Sequence, residues 1–268
     1  MTAPLLGVEK LEVVYQHAIT AVQGVTFSVD AGQIVALLGT NGAGKSTTLR
    51  AISGFLGIDD ARVTEGSVTY QGRRIENRPP NEISTLGIVL VPERDKVFPN
   101  LTVAENLTAP VARGASAAER KQREALVYEF FPQLAELRHR VGGLLSGGER
   151  QMLALGSALA CAPQVLLVDE LSLGLAPVIV SDLMRRLVDI RQRLGITVLI
   201  VEQSAAVALD IADYAYVMEN GRIVLEGDAP SLRENADIKE FYLGLTEVGA
   251  RKSYRDVKHY KRRKRWLS

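Results

Sequence analysis

The stretch from Gly39 to Ser46, Gly-Thr-Asn-Gly-Ala-Gly-Lys-Ser, constrains the fold more than any other part of the chain. It fits G-x-x-x-x-G-K-[ST] and follows an unbroken apolar run, residues 33–38 (QIVALL), that reads as a strand buried on both faces. Glycines at 39, 42 and 44 let successive backbone N–H groups turn inward around a phosphate chain, and a helix starting at the loop's end points its positive pole at the same place. Lys45 is then placed for the β- and γ-phosphates of a nucleotide, and the Ser46 hydroxyl for Mg²⁺.

Three more buried strands are expected at 87–91 (GIVLV), 164–169 (QVLLVD) and 196–201 (ITVLIV). Residues 8–15, 23–29 and 66–71 read as strands of a different kind, with partial alternation or mixed polarity. The middle of the chain, after residue 91, is helical sequence. Thr102/Glu105, Ser116/Glu119 and Ser146/Glu149 have capping-box spacing. Pro110 ends the first of these helices, Pro132 kinks or breaks the second, and the third stops before Pro163. In the second, Leu126, Phe130 and Leu134 recur at i, i+4 spacing. Pro177 opens a further helix with Ile179, Leu183, Leu187 and Ile190 on its apolar face, and Gly195 suits its end. Asn220-Gly221 marks a hairpin between YAYVME and RIVLE. The expectation is an α/β domain with a mainly parallel sheet, an antiparallel β layer beside it, and a helical insertion from about 95 to 160.

Composition excludes several classes. Of 268 residues, 47% are hydrophobic and 24% charged, with signs nearly balanced, which argues against disorder throughout. The lone Cys161 cannot close an internal disulfide and reads as a small core filler near a helix end. The amino terminus lacks a signal-peptide pattern, and no run of about 18 apolar residues exists, so the chain is not expected to span a membrane by itself. The charge is split: residues 251–268 carry nine Lys or Arg and one acid, leaving 1–250 at a net −7. Tyr254, Tyr260 and Trp266 interleave that tail. The tail reads either as a solvated, disordered segment or, on the preferred functional reading, as a contact for anionic lipid or a membrane-facing surface, and the acidic body argues against nucleic acid.

Two further motifs bear on chemistry. Asp169 closes a buried strand, well placed to hold Mg²⁺, and the adjacent Glu170 is a candidate general base for an attacking water. Leu145-Ser-Gly-Gly-Glu149-Arg-Gln151 is a capped, glycine-rich helix start and a second anion site. A nucleotide already held at Lys45 has little need of it, so it suits the nucleotide of another subunit.

These residues, in this order, resemble the ATPase subunit of ABC transporters over about residues 6–245. The resemblance implies a P-loop NTPase core, RecA-like, with an ATPase domain over 1–245 and a basic tail over 246–268. It implies ATP and Mg²⁺ as cofactors and a head-to-tail partner, identical or paralogous. Each nucleotide would lie between Gly39, Asn41, Gly42, Ala43, Gly44, Lys45, Ser46 and Thr47 of one chain and Ser146, Gly147, Gly148 and Glu149 of the other. Tyr15 matches the aromatic that stacks on adenine. Glu93 stands where the family commonly has a Gln for Mg²⁺ and coupling, and the segment Glu93–Leu107 would receive loops of transmembrane permease subunits. Gln203 stands where a switch His is usual; it is a neutral γ-phosphate contact that carries no proton at neutral pH. Leu171 stands where Pro is usual.

Val-Pro-Glu-Arg (91–94), Ala-Glu-Asn-Leu (104–107), Ser172–Pro177 and Val-Glu-Gln (201–203) are similar to the branched-chain amino-acid importer group, with urea and short-amide importers sharing them. That implies a peripheral subunit on the cytoplasmic face of the membrane, served indirectly by an extracytoplasmic solute-binding protein. A soluble ABC ATPase acting on DNA or ribosomes is the rival from another class. One ATPase core and no heptad run weigh against it. A phosphoryl-transfer enzyme using the phosphate loop alone leaves Ser146–Glu149 unexplained.

Overall fold

Alternation along four apolar strands decides how the layers stack. β3 (Ile34–Gly39), β6 (Ile88–Val91), β7 (Val165–Asp169) and β8 (Thr197–Glu202) lie in a computed structural model that describes residues 3–94, 96–111, 115–235 and 238. Ile34, Ala36 and Leu38 of β3 face one core together with Leu166, Val168, Val198 and Ile200. Val35 and Leu37 face the other, with Val165, Leu167, Leu199 and Val201. A strand buried on both faces needs no polar alternation, which is why these segments read as continuous apolar runs.

The sheet has the order β10–β9–β3–β8–β7–β6, where β9 is Tyr214–Glu219 and β10 is Arg222–Asp228. Pairings from β9 through β6 are parallel, and β10 closes the edge antiparallel to β9. Asn220 and Gly221, at φ 48° and 75°, make the two-residue turn between them. On one face lie α1 (Lys45–Ser53) and an antiparallel sheet ordered β2–β1–β4–β5, from β1 (Leu6–Tyr15), β2 (Ile19–Val29), β4 (Ala61–Tyr70) and β5 (Arg73–Arg74). α2 (Pro80–Thr85) leads into β6. This is the anticipated α/β fold with its antiparallel layer.

The other face carries α3 (Val103–Thr108), α4 (Ala117–Phe130), α5 (Pro132–Glu136), α6 (Gly147–Ala160) and α7 (Pro177–Leu194). All three capping boxes form: Thr102, Ser116 and Ser146 each accept from the N3 backbone, while Glu105, Glu119 and Glu149 reach back. Gly195 ends α7 in the left-handed conformation. Pro132 separates α4 from α5 rather than kinking one helix, and Val127 is buried where Leu126 is only half-buried.

Some expectations shift. β2 starts at Ile19, not 23, because Gln16 and His17 turn the chain with positive φ and Tyr15 pairs Ile19. β4 starts at Ala61, not 66. A bulge disguises the join: Gly66 has φ 83°, and a Cβ there would sit 2.4 Å from the Glu9 and Lys10 carbonyl oxygens. α8 (Ala205–Leu209) and α9 (Ala229–Glu234) are short helices without a clear sequence signal. Cys161 is half-buried at the end of α6, its thiol donating toward the Ser157 and Pro110 carbonyls, not filling a core. The anticipated last helix at 237–244, apart from the buried Ile238, and the basic tail lie outside the described residues.

Gly156 is the point of closest approach in the helical layer. A Cβ there would lie 2.7 Å from Val127 Cγ1 and 3.2 Å from Leu107 Cδ2. Gly156→Val should therefore force α6 away from α3 and α4 and cost ~1–3 kcal/mol of stability in denaturant unfolding of the full chain. An unchanged midpoint would show that these helices do not pack on Gly156.

Candidate active site

Gly44 caps α1 with φ 99°, a conformation that admits glycine and strains any other residue, so the Lys45 helix begins only because the loop ends in glycine. Its space is also shared: a Cβ on Gly44 would come within 2.8 Å of the Ala21 carbonyl oxygen. The hairpin turn braces the loop from outside, Gly221 N–H donating to the Ala43 oxygen at 3.0 Å. Thr40, Asn41 and Gly42 are exposed at the loop's crest, while Ala43 is buried beneath it.

The carboxyl ends of β3 and β7 bring four predicted residues together. Lys45 Nζ lies 3.3 Å from Glu170 Oε1 and donates to the Thr40 carbonyl at 3.2 Å. Ser46 Oγ donates to Asp169 Oδ1 at 2.9 Å. Lys45, Asp169 and Glu170 are all buried, between 4% and 7% exposed. Burial, with Glu170 and Glu93 nearby, raises the Asp169 carboxyl to about 6 against the lowering effect of the Ser46 hydrogen bond and Lys45. Glu170 itself has φ 46°, a left-handed residue directly after the strand, with its N–H on the Val201 oxygen at 2.9 Å.

The other predicted residues lie outside this quartet. Tyr15 closes β1, and its hydroxyl shares a 3.3 Å hydrogen bond with Thr47 Oγ1, which puts the ring beside the phosphate loop. Glu93 is paired with Arg94 at 3.0 Å in the loop after β6. Gln203 is exposed immediately after β8. Ser146 and Gly147 face solvent at the start of α6, with Gly147 and Gly148 against Leu175 and Ile179. The loop after β6 walls a cleft of about 140 Å³ lined by Val91, Pro92, Lys96, Phe98, Asn106 and Cys161.

Buried polar residues without a role in the sequence reading also gather here. Asn106 accepts from the Phe98 N–H at 2.7 Å and donates to the Phe98, Leu101 and Thr102 oxygens, knotting the cleft's wall. Gln151 and Glu202 flank the turn after Glu170. The available signal was a single polar residue inside an otherwise apolar face or strand.

A sequence model of the ABC transporter family matches residues 22–172, from β2 through the turn after Glu170. The chain belongs to that family. It is 41% identical to the high-affinity branched-chain amino acid transport ATP-binding protein BraG of Pseudomonas aeruginosa, covering 86% of this chain and 96% of that protein. It is 38% identical to the probable branched-chain amino acid transport ATP-binding protein LivF of Archaeoglobus fulgidus, covering 83% and 94%. A crystal structure of an ABC transporter's ATP-binding cassette in its ADP conformation superposes with a TM-score of 0.78 at 30% identity, covering 91% of this chain and all of that one.

As an ABC cassette the chain binds nucleotide and is an ATPase whose hydrolysis is coupled to transport. Among the described residues no helix is long and apolar enough to cross a membrane. Leu171, in the place where the family resemblance leads one to expect Pro, is 1% exposed and packs into the core beneath α6, so the turn after Glu170 is closed by apolar burial.

The raised Asp169 carboxyl has a consequence for stability. An exposed Asp titrates near 4, so between about pH 4 and 6 the Asp169 carboxyl holds more proton in the folded chain than in the unfolded one. Its contribution to stability therefore falls as pH rises through that window and stays lower above it. Asp169→Asn, which still accepts from Ser46, should stabilise the nucleotide-free chain at pH 7 by ~1–3 kcal/mol and leave it unchanged near pH 4, while abolishing Mg²⁺-dependent hydrolysis. Thermal melts at the two pH values check this. Equal destabilisation at both would contradict it.

Proposed function

We propose that this chain is the nucleotide-hydrolysing subunit of an importer for branched-chain amino acids or a similar small solute, attached to permease subunits at the cytoplasmic face of the membrane. The observation that carries the chemistry is the convergence of Lys45, Ser46, Asp169 and Glu170 at the ends of β3 and β7. The solute class follows from the names of the relatives, BraG and LivF.

The residues fit Mg²⁺. A hydroxyl and a carboxylate 2.9 Å apart are hard oxygen donors, and the burial and neighbouring carboxylates that push Asp169 upward are what a divalent cation would offset. Among the described residues no cluster of three or more His, Cys, Asp or Glu side chains could hold a metal ion. When bound, Mg²⁺ neutralises charge on the β- and γ-phosphates.

Lys45 is the positive partner of those phosphates. Its present partner is Glu170, so substrate phosphate competes for the ammonium, and Glu170 is released to polarise the attacking water. Backbone N–H groups of Gly39–Thr47 cradle the phosphates, Tyr15 stacks on adenine, and Gln203 contacts the γ-phosphate through a neutral amide. Glu93 joins the site to the cleft that receives the permease loops. Ser146 and Gly147 are exposed on their own chain, and with Gly148 and Glu149 they serve the nucleotide of a second cassette, which makes the active unit a head-to-tail pair. Closing and reopening that pair drives alternating access in the permease.

The test is hydrolysis by the intact complex purified through this chain. A solute-binding protein loaded with leucine, isoleucine or valine should raise its ATPase rate at least about threefold over the unloaded protein, the size of a modest allosteric coupling. In the Ser146→Arg complex this stimulation should vanish, while the full chain still binds ATP. No stimulation by any solute-loaded binding protein, or loss of ATP binding in Ser146→Arg, would contradict the proposal.

A further inference from the structure

One peptide group, the unit joining Leu171 to Ser172, is gripped on both of its polar sides. Its carbonyl oxygen accepts from Gln151 Nε2 at 3.0 Å, and its N–H donates to Glu202 Oε1 at 3.0 Å. The two groups of a trans peptide point in opposite directions, so partners on each side fix the rotation of its plane. Gln151 comes from α6, three residues after the Ser146–Gly148 motif, and Glu202 from the end of β8. Both are buried, at 4% and 1% exposure.

Each grip is itself held in orientation. Gln151 Oε1 accepts from Lys96 Nζ at 2.8 Å. An ammonium only donates, so it sets the amide with its oxygen toward the cleft and its NH₂ toward Leu171. The second Glu202 oxygen accepts from the Ser172 hydroxyl at 2.6 Å. A buried carboxylate is costly unless its lone pairs are filled, and Ser172 fills one on each oxygen.

The gripped peptide lies one residue beyond Glu170. Glu170 holds a left-handed φ of 46°, a strained state for a side-chain-bearing residue that persists where the surroundings impose it. Its N–H is pinned to the Val201 oxygen at 2.9 Å, and its carbonyl receives the Leu173 N–H at 3.4 Å. With the Leu171–Ser172 peptide also fixed, the backbone on both sides of Glu170 is pinned.

We propose that Gln151 and Glu202 are positioning residues for hydrolysis, which hold Glu170 on line by clamping the Leu171–Ser172 peptide from α6 and β8. This rests on Glu170 being the base. It gives the start of α6 two faces with different tasks: Ser146 and Gly147 are exposed toward a neighbouring nucleotide, and Gln151 faces inward to this chain's own Glu170. Lys96, on the cleft wall, makes the amide's orientation answer to the loop after β6.

The discriminating variant is Gln151→Glu in the intact complex. It keeps the Lys96 partner but offers only acceptors, so it repels the Leu171 carbonyl. We expect kcat to fall about tenfold with KM for ATP within about twofold, the signature of an effect on turnover rather than binding. Glu202→Leu should show the same split, and Glu202→Gln, whose amide oxygen still accepts from the Ser172 N–H, should recover most of the loss. If both Gln151→Glu and Glu202→Leu lower the melting midpoint and leave the kcat of the folded complex at wild type, the clamp is only structural and the proposal is wrong. Glu170→Gln separates the two claims. Wild-type turnover in that variant overturns the base assignment and the clamp with it, whereas an inactive Glu170→Gln beside a fully active Gln151→Glu overturns the clamp alone.

Discussion

The site depends on an ion pair between two buried charges, Lys45 and Glu170, 3.3 Å apart. Neither could be buried alone, since an unpaired charge in such surroundings costs several kcal/mol. Their meeting requires that β3 and β7 run parallel with β8 between them, so that both carboxyl ends open on one edge of the sheet. It also requires α1 to start at once after Gly44, which glycine at φ 99° permits. Strand order, loop glycines and the bracing hairpin all serve the placement of one ammonium. The ends of parallel strands are where such sheets bind ligands, and this one gathers its charges there.

Much of that arrangement was legible in the residues. Doubly buried strands announce themselves as apolar runs, and QIVALL leading into Gly39–Ser46 left little else for the first βα unit to be. The capping boxes at Thr102, Ser116 and Ser146 were readable because they are local: a hydroxyl and a carboxylate three residues apart solve a backbone problem within one turn. Less legible were features whose cause lies across the fold. The start of β4 at Ala61 is hidden because Gly66 is shaped by the Glu9 and Lys10 carbonyls of a neighbouring strand. Glu202 closes β8 as Asp169 closes β7, yet its partner Ser172 lies 30 residues earlier, and nothing in either neighbourhood names the other. Gln151 looks like an ordinary polar residue beside a glycine-rich helix start until α6 is seen to bury it.

The departures from the commoner family pattern fall into place physically. On the proposed reading, Gln203 in the switch position offers an amide that carries no proton at neutral pH, which leaves proton handling to Glu170. Leu171 gives the turn after Glu170 an apolar anchor in the core. The resemblance to branched-chain amino-acid transport ATP-binding proteins extends over most of the chain.

The central claim is that Lys45 is shared between Glu170 and the substrate's phosphates. Equilibrium titration of the full-length chain with ATP and Mg²⁺, wild type against Glu170→Gln, tests it directly. If the carboxylate competes for the ammonium, removing its charge should tighten ATP binding about tenfold, the equivalent of ~1.4 kcal/mol. Unchanged or weaker binding by Glu170→Gln would mean that the pair does not compete with phosphate, and the account of how Glu170 is released would fail.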